Sequence, residues 1–285
     1  MAVIIDGKLV SEKTRESIRE KVEEFKAGNG ITPGLAVIVV GNDPASAVYV
    51  RNKHKATLDV GMNSYQIELP DDTDEDVLLK KVAELNSDPS VSGILVQLPL
   101  PKHISEKKVI AAISPDKDVD AFHPQSVGKI MIGDYDLLPC TPAGIMRLID
   151  FYGINIEGKN CVVIGRSNIV GKPMAHLLLE RNGTVTVCHS KTSDLSSITR
   201  NADIIVVAIG KAKFLTSDMI KPGAVVIDVG INRDCNGKLV GDVDFESASR
   251  VASYITPVPG GVGPMTISML LENTLTAAKK QLNNN

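Results

Sequence analysis

One strand–turn–helix stretch in the middle of the chain constrains its fold more than any other feature. A short apolar run ends at Gly165, and a helix-forming segment at 174–180 begins soon afterwards. Dinucleotide pyrophosphates bind at such turns, held by backbone N–H groups at the helix N-terminus. The loop departs from the G-x-G-x-x-G fingerprint, because Ser167 occupies the second glycine position and Val170 the third. The stretch therefore predicts a dinucleotide-binding α/β domain, and an ordinary strand–helix turn is the alternative.

The end of the next predicted strand indicates which dinucleotide would bind. The strand at 184–188 runs into His189-Ser190-Lys191-Thr192, where NAD enzymes carry an acid for the ribose 2′-hydroxyl. A 2′-phosphate would be repelled by a carboxylate but attracted by hydroxyls and cations. We therefore predict NADP rather than NAD, bound in part by Arg166, Ser190, Lys191 and Thr192. A solvated polar turn is the alternative.

Composition and charge limit the class of protein. A chain of 285 residues with 43% hydrophobic and 23% charged residues is ordinary for a globular protein of about two domains. Its net charge of −3 gives no electrostatic reason to expect a nucleic acid or an acidic membrane as partner. No apolar run approaches the roughly 20 residues of a membrane span. The N-terminus shows no cleavable signal pattern, so we predict a cytoplasmic location.

The cysteines predict reduced thiols and no metal site. Cys140, Cys161, Cys188 and Cys235 are widely spaced and form no C-x-x-C pair. Two of them lie in or beside predicted buried strands, where a free thiol behaves as a small apolar side chain.

Strands and helices alternate through both parts of the chain. In the first part, strands are predicted at 35–40, 64–69 and 93–98, and helices at 11–26, 44–60, 74–85 and 106–113. In the second part, strands are predicted at 161–164, 184–188, 204–209 and 224–229. This order predicts two α/β domains with parallel sheets covered on both faces.

The domain boundary is placed after a polar, proline-containing passage at 114–138. A connecting helix at 139–152 follows, and a final helix at 264–281 is expected to pack back on the first domain. We therefore predict a first domain of residues 1–138 joined by helix 266–285. Residues 139–265 are predicted to form a Rossmann-like NADP-binding domain.

Three polar features of the first domain are expected beyond the carboxyl ends of its strands, where open parallel sheets bind ligands. Tyr49 and Lys53 are spaced i, i+4 and share one helix face, with an exposed lysine above a core tyrosine as the alternative. Gln97 ends a strand, and its amide needs partners when buried. Asp120 lies in the acidic run 118–123, for which a solvated loop is the alternative. Together these residues place an amine, a hydroxyl, an amide and a carboxylate around one cleft.

The stretch at 256–266 is unusually rich in glycine and proline. Three glycines between prolines permit close backbone approach to a ligand and give the segment a rigid shape on either side. A tight hinge between domains is the alternative, and it is compatible with binding.

Five long motifs occur together in this chain. They are Tyr-Val-Arg-Asn-Lys at 49–53, Val-Gln-Leu-Pro-Leu-Pro at 96–101, Lys-Asp-Val-Asp at 117–120, Gly-Arg-Ser-x-Ile-Val-Gly-x-Pro at 165–173 and Thr-Pro-Val-Pro-Gly-Gly-Val-Gly-Pro-Met-Thr at 256–266. This set resembles the bacterial bifunctional methylenetetrahydrofolate dehydrogenase/cyclohydrolase family, nearly from end to end. One departure is Ala121, where the family usually has glycine.

The resemblance implies two α/β domains with a folate in the cleft between them, in a homodimer. It implies NADP-dependent oxidation of methylenetetrahydrofolate, followed by hydrolysis of methenyltetrahydrofolate to formyltetrahydrofolate. A dehydrogenase without the hydrolytic step, for which Ala121 leaves room, and a non-catalytic NADP-binding regulator are the alternatives.

The resemblance also implies roles for individual residues. Lys53 matches the catalytic lysine, with Tyr49 and Gln97 beside it and Asp120 on the donor nitrogens of the pterin. The folate would further contact Val96, Leu98, Pro259, Gly260, Gly261, Val262 and Gly263. Gly165, Arg166, Ser167, Ser190 and Ile231 match the NADP contacts.

Overall fold

The computed structural model describes residues 1–41 and 44–283, with side chains described outside 44–48. The chain divides into two compact units, which are named here after their sheets. The three-stranded unit comprises Lys13–Cys140 and the C-terminal segment from Ile267. The six-stranded unit comprises Met1–Glu12 and Thr141–Thr266.

The elements of the first part of the chain, within the described residues, begin with a short strand, alternate between helices and strands up to β4, and end in three helices. They are β1 (Val3–Ile4), α1 (Gly7–Asn29), β2 (Gly34–Val40), α2 (Pro44–Asp59), β3 (Asn63–Leu69), α3 (Glu75–Ser87), β4 (Gly93–Val96), α4 (Glu106–Ala112), α5 (Pro124–Ile132) and α6 (Cys140–Phe151).

The second part of the chain alternates between strands and helices up to β7, continues with three further strands, and ends in a long helix. Its elements are β5 (Asn160–Ile164), α7 (Gly171–Glu180), β6 (Thr184–Cys188), α8 (Leu195–Thr199), β7 (Ile204–Val207), β8 (Val225–Asp228), β9 (Asn232–Arg233), β10 (Leu239–Val240), α9 (Phe245–Ala248), β11 (Tyr254–Ile255) and α10 (Val262–Asn283).

The sheet of the three-stranded unit has the order β3–β2–β4, and both pairings are parallel. Its central strand, β2, is buried almost throughout because its sequence carries no polar side chain. One apolar cluster joins the sheet to α3 and α4, and another joins α1, α2 and α10. The packing of the C-terminal helix on the first predicted domain is thereby confirmed.

The sheet of the six-stranded unit has the order β1–β11–β8–β7–β5–β6 and is parallel throughout. Strands β7 and β8 consist of apolar residues up to Val207 and Ile227 and are fully covered. β9 and β10 form a separate antiparallel hairpin. Because the six strands are parallel, the turns that follow them lie along one carboxyl edge.

The predicted exit passage at 114–138 is not irregular throughout, because it contains α5. Pro124 is the first residue of this helix, and the His123 ring nitrogen Nδ1 accepts a hydrogen bond from the Gln125 N–H. Gly133 ends the helix with a φ of 73°. Proline in the first turn and a left-handed glycine after the last are standard helix signals that the sequence contained.

The N-terminal residues lie in a different unit from the one predicted. β1 pairs in parallel with β11, and residues 1–12 therefore group with 141–266 rather than with the first domain. Two strand residues are too few to show a periodic pattern, so no local pattern indicates this pairing. The final helix also begins earlier than predicted, at Val262 rather than Pro264.

None of the helices in the described part of the chain combines the length and apolar content that crossing a bilayer requires. Cys140, Cys161 and Cys188 are buried free thiols, and Cys235 is an exposed one. Within residues 1–41 and 44–283, no group of three or more His, Cys, Asp or Glu side chains is arranged to hold a metal ion.

Candidate active site

Lys53 lies on the inward face of α2, although its side chain carries an amine. Ala56, three residues further along the helix, and Val60, just beyond its end, are buried in the apolar cluster with α1 and α10. Lys53 is only 9% exposed, and its Nζ donates a hydrogen bond of 2.9 Å to Oε1 of Gln97. The helix therefore holds a nearly buried amine against a side-chain amide.

Gln97 is oriented by its own backbone surroundings. It follows β4 directly, and its N–H continues the sheet by bonding to the Ile38 carbonyl at 2.8 Å. Its Nε2 donates to the carbonyl of Leu98 at 2.7 Å, which fixes the amide so that Oε1 faces Lys53. An oxygen facing the amine accepts a hydrogen bond from it in either charge state.

Asp120 and Cys140 complete the polar cluster around the amine. Sγ of Cys140 lies 3.7 Å from Oδ1 of Asp120 and 3.5 Å from the Val119 carbonyl oxygen, and its single S–H is shared between these two acceptors. Burial raises the pKa of Cys140 well above its usual value, so the thiol stays neutral and acts as a donor. Burial also raises the pKa of Asp120, while the nearby Lys53 charge and the Cys140 hydrogen bond oppose that shift.

The electrostatic state of Lys53 follows from these surroundings. Burial lowers the pKa of the Lys53 amine, because a site with little water disfavours the ammonium form. The negative charge of Asp120 acts in the opposite direction, but the effect of burial is larger. A lysine with a lowered pKa can give up its proton and take it back, which makes it suitable for acid–base chemistry.

The loop that carries Asp120 is held from two sides. Asp118 is 2% exposed, and its Oδ2 accepts from the His123 N–H at 2.7 Å and from the Ser126 hydroxyl at 3.1 Å. Burial raises the pKa of Asp118 to about 6. From α10, Nδ2 of Asn273 donates to the carbonyl of Val119 at 2.8 Å.

Ala121 has a backbone conformation that favours glycine. Its φ is 55°, in the left-handed region, and its side chain is fully buried. Alanine reaches this region at a cost of about 1–2 kcal/mol. The loop thus keeps the geometry of a glycine turn at this departure from the family pattern.

The burial of Tyr49 and Lys53 is the reverse of the alternative that the sequence left open, an exposed lysine above a core tyrosine. The lysine is the buried member of the pair, and the tyrosine ring is 44% exposed. Among the described residues the Tyr49 hydroxyl has no hydrogen-bond partner, and it does not bond to Lys53. A half-exposed aromatic ring beside a buried amine is available to stack on a planar ligand.

The turn after β5 is tightly packed, and glycine at two positions makes this packing possible. Gly165 has a φ of 127°, and a Cβ at this position would lie 2.3 Å from the Ala208 carbonyl oxygen. A Cβ at Gly171 would lie 2.3 Å from the Gly165 carbonyl oxygen. Gly171, the first residue of α7, therefore makes a close helix–strand contact of the kind made by the third fingerprint glycine, one position after Val170.

Ser167, at the second glycine position of the fingerprint, accepts hydrogen bonds through its hydroxyl group. Its hydroxyl oxygen accepts from the N–H groups of Val170 at 3.1 Å and Gly171 at 3.3 Å. It satisfies two of the free N–H groups at the start of α7, as a capping side chain does. The loop is thereby ordered around the helix N-terminus, whose dipole favours an anion.

The turns after β5 and β6 lie side by side. Ile164 is opposite Cys188 in the sheet, and the Gly165 N–H bonds to the Cys188 carbonyl at 2.9 Å. The side chains of Arg166 and Ser190 are both exposed. The turn after β6 is closed by the Thr192 hydroxyl, which accepts from the His189 N–H at 2.9 Å. A cation and a hydroxyl thus stand on neighbouring turns, as binding of a 2′-phosphate requires.

The remaining predicted contacts are distributed over both units. Ile231 follows β8 in the six-stranded unit and is 51% exposed. The segment at 259–263 lies in the same unit, where Gly260 has a φ of 104°. In the three-stranded unit, Val96 is 7% exposed and Leu98 is half-buried beside Gln97.

The structure thus gathers Lys53, Gln97 and Asp120 in one unit and Gly165, Arg166, Ser167, Ser190 and Ile231 along one edge of the other. Sequence reasoning missed Cys140 and Asn273 as partners of the Asp120 loop. Cys140 was interpreted only as a core thiol. Asn273 carried one usable signal, since an amide in the middle of an otherwise apolar helix face needs a partner.

Two family models match the chain and cover most of its length. Residues 5–120 match "Tetrahydrofolate dehydrogenase/cyclohydrolase, catalytic domain", and residues 139–282 match "Tetrahydrofolate dehydrogenase/cyclohydrolase, NAD(P)-binding domain". Curated relatives called "Bifunctional protein FolD" match nearly end to end. The protein of Acetivibrio thermocellus is 62% identical over 280 residues, 98% of each chain. That of Streptococcus pneumoniae is 57% identical over 282 residues, 99% of each.

Solved structures give the same result. The bifunctional FolD methylenetetrahydrofolate dehydrogenase/cyclohydrolase of Campylobacter jejuni has a TM-score of 0.96 and 52% identity, over 99% of this chain and 100% of that one. The FolD of Trypanosoma brucei, solved with NADP cofactor and inhibitor, has a TM-score of 0.95 and 41% identity, over 99% and 98%.

Proposed function

Because the chain belongs to the tetrahydrofolate dehydrogenase/cyclohydrolase family, we propose that the two residue sets described above divide its two activities between them. The protein is a bifunctional enzyme of one-carbon folate metabolism. It oxidises methylenetetrahydrofolate to methenyltetrahydrofolate with NADP, and it hydrolyses the product to formyltetrahydrofolate. The roles of individual residues are the subject of the proposal.

The dehydrogenase step needs positioning more than it needs a base. NADP, when bound, supplies the hydride acceptor. As hydride leaves the methylene carbon, the two folate nitrogens beside it donate electron density, and a delocalised amidinium cation results. No proton has to be removed from the substrate. The task of the protein is to hold the donor carbon in reacting geometry, which can supply several orders of magnitude in rate.

The cyclohydrolase step needs proton transfer, and Lys53 is proposed to provide it. Water adds to the methenyl carbon of the cationic substrate and loses a proton. One carbon–nitrogen bond then breaks: the remaining hydroxyl proton leaves to solvent as the formyl carbonyl forms, and the leaving nitrogen takes up a proton. A neutral Lys53 amine can accept the proton that the attacking water loses and deliver it to the leaving nitrogen. The cationic substrate adds a like charge to the effect of burial, and both favour the neutral amine.

Gln97, Asp120 and Tyr49 are proposed to assist Lys53 and to bind the pterin. Gln97 keeps the amine in place through its 2.9 Å hydrogen bond. The Asp120 carboxylate, fixed by Cys140, would accept hydrogen bonds from the donor nitrogens of the pterin. The exposed Tyr49 ring would stack on the folate. Val96, Leu98 and the segment 259–263 would form the remaining folate contacts.

The NADP contacts are proposed to lie along the carboxyl edge of the six-stranded sheet. The residues fit such a cofactor, because the exposed Arg166 and Ser190 side chains stand on neighbouring turns close to the start of α7. The N-terminus of α7 would receive the pyrophosphate, and Arg166 with Ser190 the 2′-phosphate. Ile231 would provide an apolar contact.

Alanine at Arg166 or Ser190 is expected to weaken NADP binding by roughly tenfold, since each removes one partner of a charged phosphate. Folate affinity should be unchanged. Isothermal titration with NADP and with a folate analogue measures both, and Lys159→Ala serves as the control because Lys159 precedes β5 at the opposite edge. Unchanged NADP affinity in both variants would show that the 2′-phosphate binds elsewhere.

Two broader points are proposed from the family alone. The enzyme is proposed to act as a homodimer, and its partner molecules to be folate and NADP. The cytoplasmic location inferred from the sequence stays a prediction.

The observation that carries the functional proposal is the nearly buried Lys53 amine bonded to Gln97. Its test is a spectrophotometric assay of the purified protein with methylenetetrahydrofolate. We expect reduced nicotinamide to form faster with NADP than with NAD, and methenyltetrahydrofolate to decay to the formyl product. Oxidation without methenyl decay would indicate the monofunctional dehydrogenase, and no absorbance change at all the regulator.

A further inference from the structure

Two buried carboxylates at the carboxyl edge of the six-stranded sheet have no role in the activities described above. Asp228 is the last residue of β8 and is 3% exposed, and Asp242 follows β10 and is fully buried. Burying two neighbouring acids costs free energy that a well-packed apolar pair would not. Burial, with a contribution from Asp242, raises the pKa of Asp228 to about 6. The hydrogen bonds that the two carboxylates accept indicate which segments of the chain they hold in place.

Asp242 holds the loop that follows β7. Its Oδ2 accepts from the N–H groups of Ile209 at 2.7 Å and Gly210 at 3.0 Å. Its Oδ1 accepts from the Lys211 N–H at 2.8 Å and from Nδ2 of Asn232 at 2.9 Å. Successive N–H groups that converge on one anion form a nest. Because Asp242 occupies this nest, the loop is fixed from inside the protein rather than by a ligand phosphate.

Asp228 holds the segment that follows its own strand. Its Oδ1 accepts from the N–H groups of Gly230 and Asp242, each at 2.9 Å, and its Oδ2 from the Val243 N–H at 2.9 Å. A Cβ at Gly241 would lie 1.8 Å from Oδ2 of Asp228, and one at Gly230 would lie 2.2 Å from Oδ1 of Asp242. Glycine at both positions is what lets the two carboxylates reach the backbone.

The two segments held in this way adjoin the proposed NADP contacts. Ala208, directly before the first loop, has its carbonyl oxygen in the space beside Gly165, and its N–H bonds to the Ile164 carbonyl at 2.8 Å. Ile231 lies between Gly230, held by Asp228, and Asn232, held by Asp242.

We infer that Asp228 and Asp242 are positioning residues for NADP, which set the loops at 208–211 and 230–232 without touching the cofactor. This inference rests on the NADP site proposed above. On this inference, the two acids are buried despite the free-energy cost because they keep the geometry of the NADP site precise. A displacement of about 1 Å in such a site can lower the reaction rate on the order of 100-fold.

The test is the variant Asp242→Asn, assayed for each activity separately. The amide is isosteric, but its NH2 group must face at least one of the N–H donors, so the loop should shift. We expect KM for NADP to rise at least tenfold. Hydrolysis of methenyltetrahydrofolate, which consumes no NADP, should keep its kcat within about twofold. A uniform loss of both activities, or an unchanged KM for NADP, would overturn the inference.

Asp203→Asn is the matched control. Asp203 precedes β7 at the opposite edge of the same sheet, and its Oδ2 accepts from the Asn160 N–H at 2.9 Å. If buried or half-buried carboxylates in this sheet were merely structural, both variants would lower thermal stability and neither would change KM for NADP. The inference predicts that only Asp242→Asn changes it.

Two further variants keep the test decisive. If Asp242→Asn does not fold, Asn232→Ala removes one of the four hydrogen bonds to Asp242 and should raise KM for NADP by a few-fold. Arg166→Ala, run in the same assay, separates this inference from the site assignment. If Arg166→Ala raises KM for NADP and the aspartate variants do not, only the positioning role is refuted. If none of these variants changes KM for NADP, the proposed NADP site is refuted.

Discussion

Replacing Lys53 by methionine is expected to abolish the cyclohydrolase activity while dehydrogenase activity survives. Methionine fills a similar volume but cannot carry a proton, and general acid–base catalysis contributes about 100- to 10,000-fold to a rate. Hydride transfer requires no base, so it should lose only what depends on substrate positioning. The two rates are measured on the same sample, from decay of added methenyltetrahydrofolate and from formation of reduced nicotinamide.

Lys55→Met provides the control for Lys53→Met. Lys55 lies on the same helix but its side chain is exposed, so the same substitution there should leave both rates near those of the unmodified enzyme. If Lys53→Met kept both activities, the amine would be a bystander in the reaction. If it lost both to the same extent, its role would be in binding the folate rather than in proton transfer.

Replacing Gly165 by alanine is expected to weaken NADP binding by about 100-fold or more. The added Cβ would lie 2.3 Å from the Ala208 carbonyl oxygen, so the turn proposed to receive the pyrophosphate must move. The φ of 127° adds backbone strain of about 1–3 kcal/mol. NADP titration and thermal unfolding measure the two effects. Methenyltetrahydrofolate hydrolysis should persist in the folded fraction.

Gly158→Ala separates strain from displacement of the turn. Gly158 also has a positive φ, of 70°, but a Cβ there would meet nothing within 4 Å. This variant should lose some stability and keep its NADP affinity. Equal NADP affinity in Gly165→Ala and Gly158→Ala would show that the turn after β5 does not receive the cofactor.

Local patterns were sufficient to predict most of the fold. β6 was predicted at its observed bounds, and β2 and α7 within a few residues, because β-branched runs and helical periodicity reflect short-range geometry. The α5 helix was overlooked although Pro124 and Gly133 marked its ends. β1 could not be found, since its two residues form a strand only through pairing with β11, about 250 residues away in sequence.

The candidate site was only partly readable from the chain. The i, i+4 spacing placed Tyr49 and Lys53 on one helix face but did not tell which of them is buried, because that depends on how α2 packs. The contact of Cys140 with Asp120 joins residues in different elements, and no periodicity reports it. The contacts of Asp228 and Asp242 were likewise not predictable. Their local sequences, Asp-x-Gly and Gly-Asp, indicate no site on their own, because the contacts form only when separate loops meet in the fold.

The protonation of Lys53 is the central claim of this account, and an isotope-edited NMR titration of the lysine side chains measures it directly. The Lys53 resonance is assigned by its absence in Lys53→Met. We predict that the amine titrates well below the exposed lysines of the same protein, because burial lowers its pKa. In Asp120→Asn it should titrate lower still, since the carboxylate that favours the ammonium form is gone. A Lys53 resonance that titrates together with the exposed lysines would contradict the proposed mechanism.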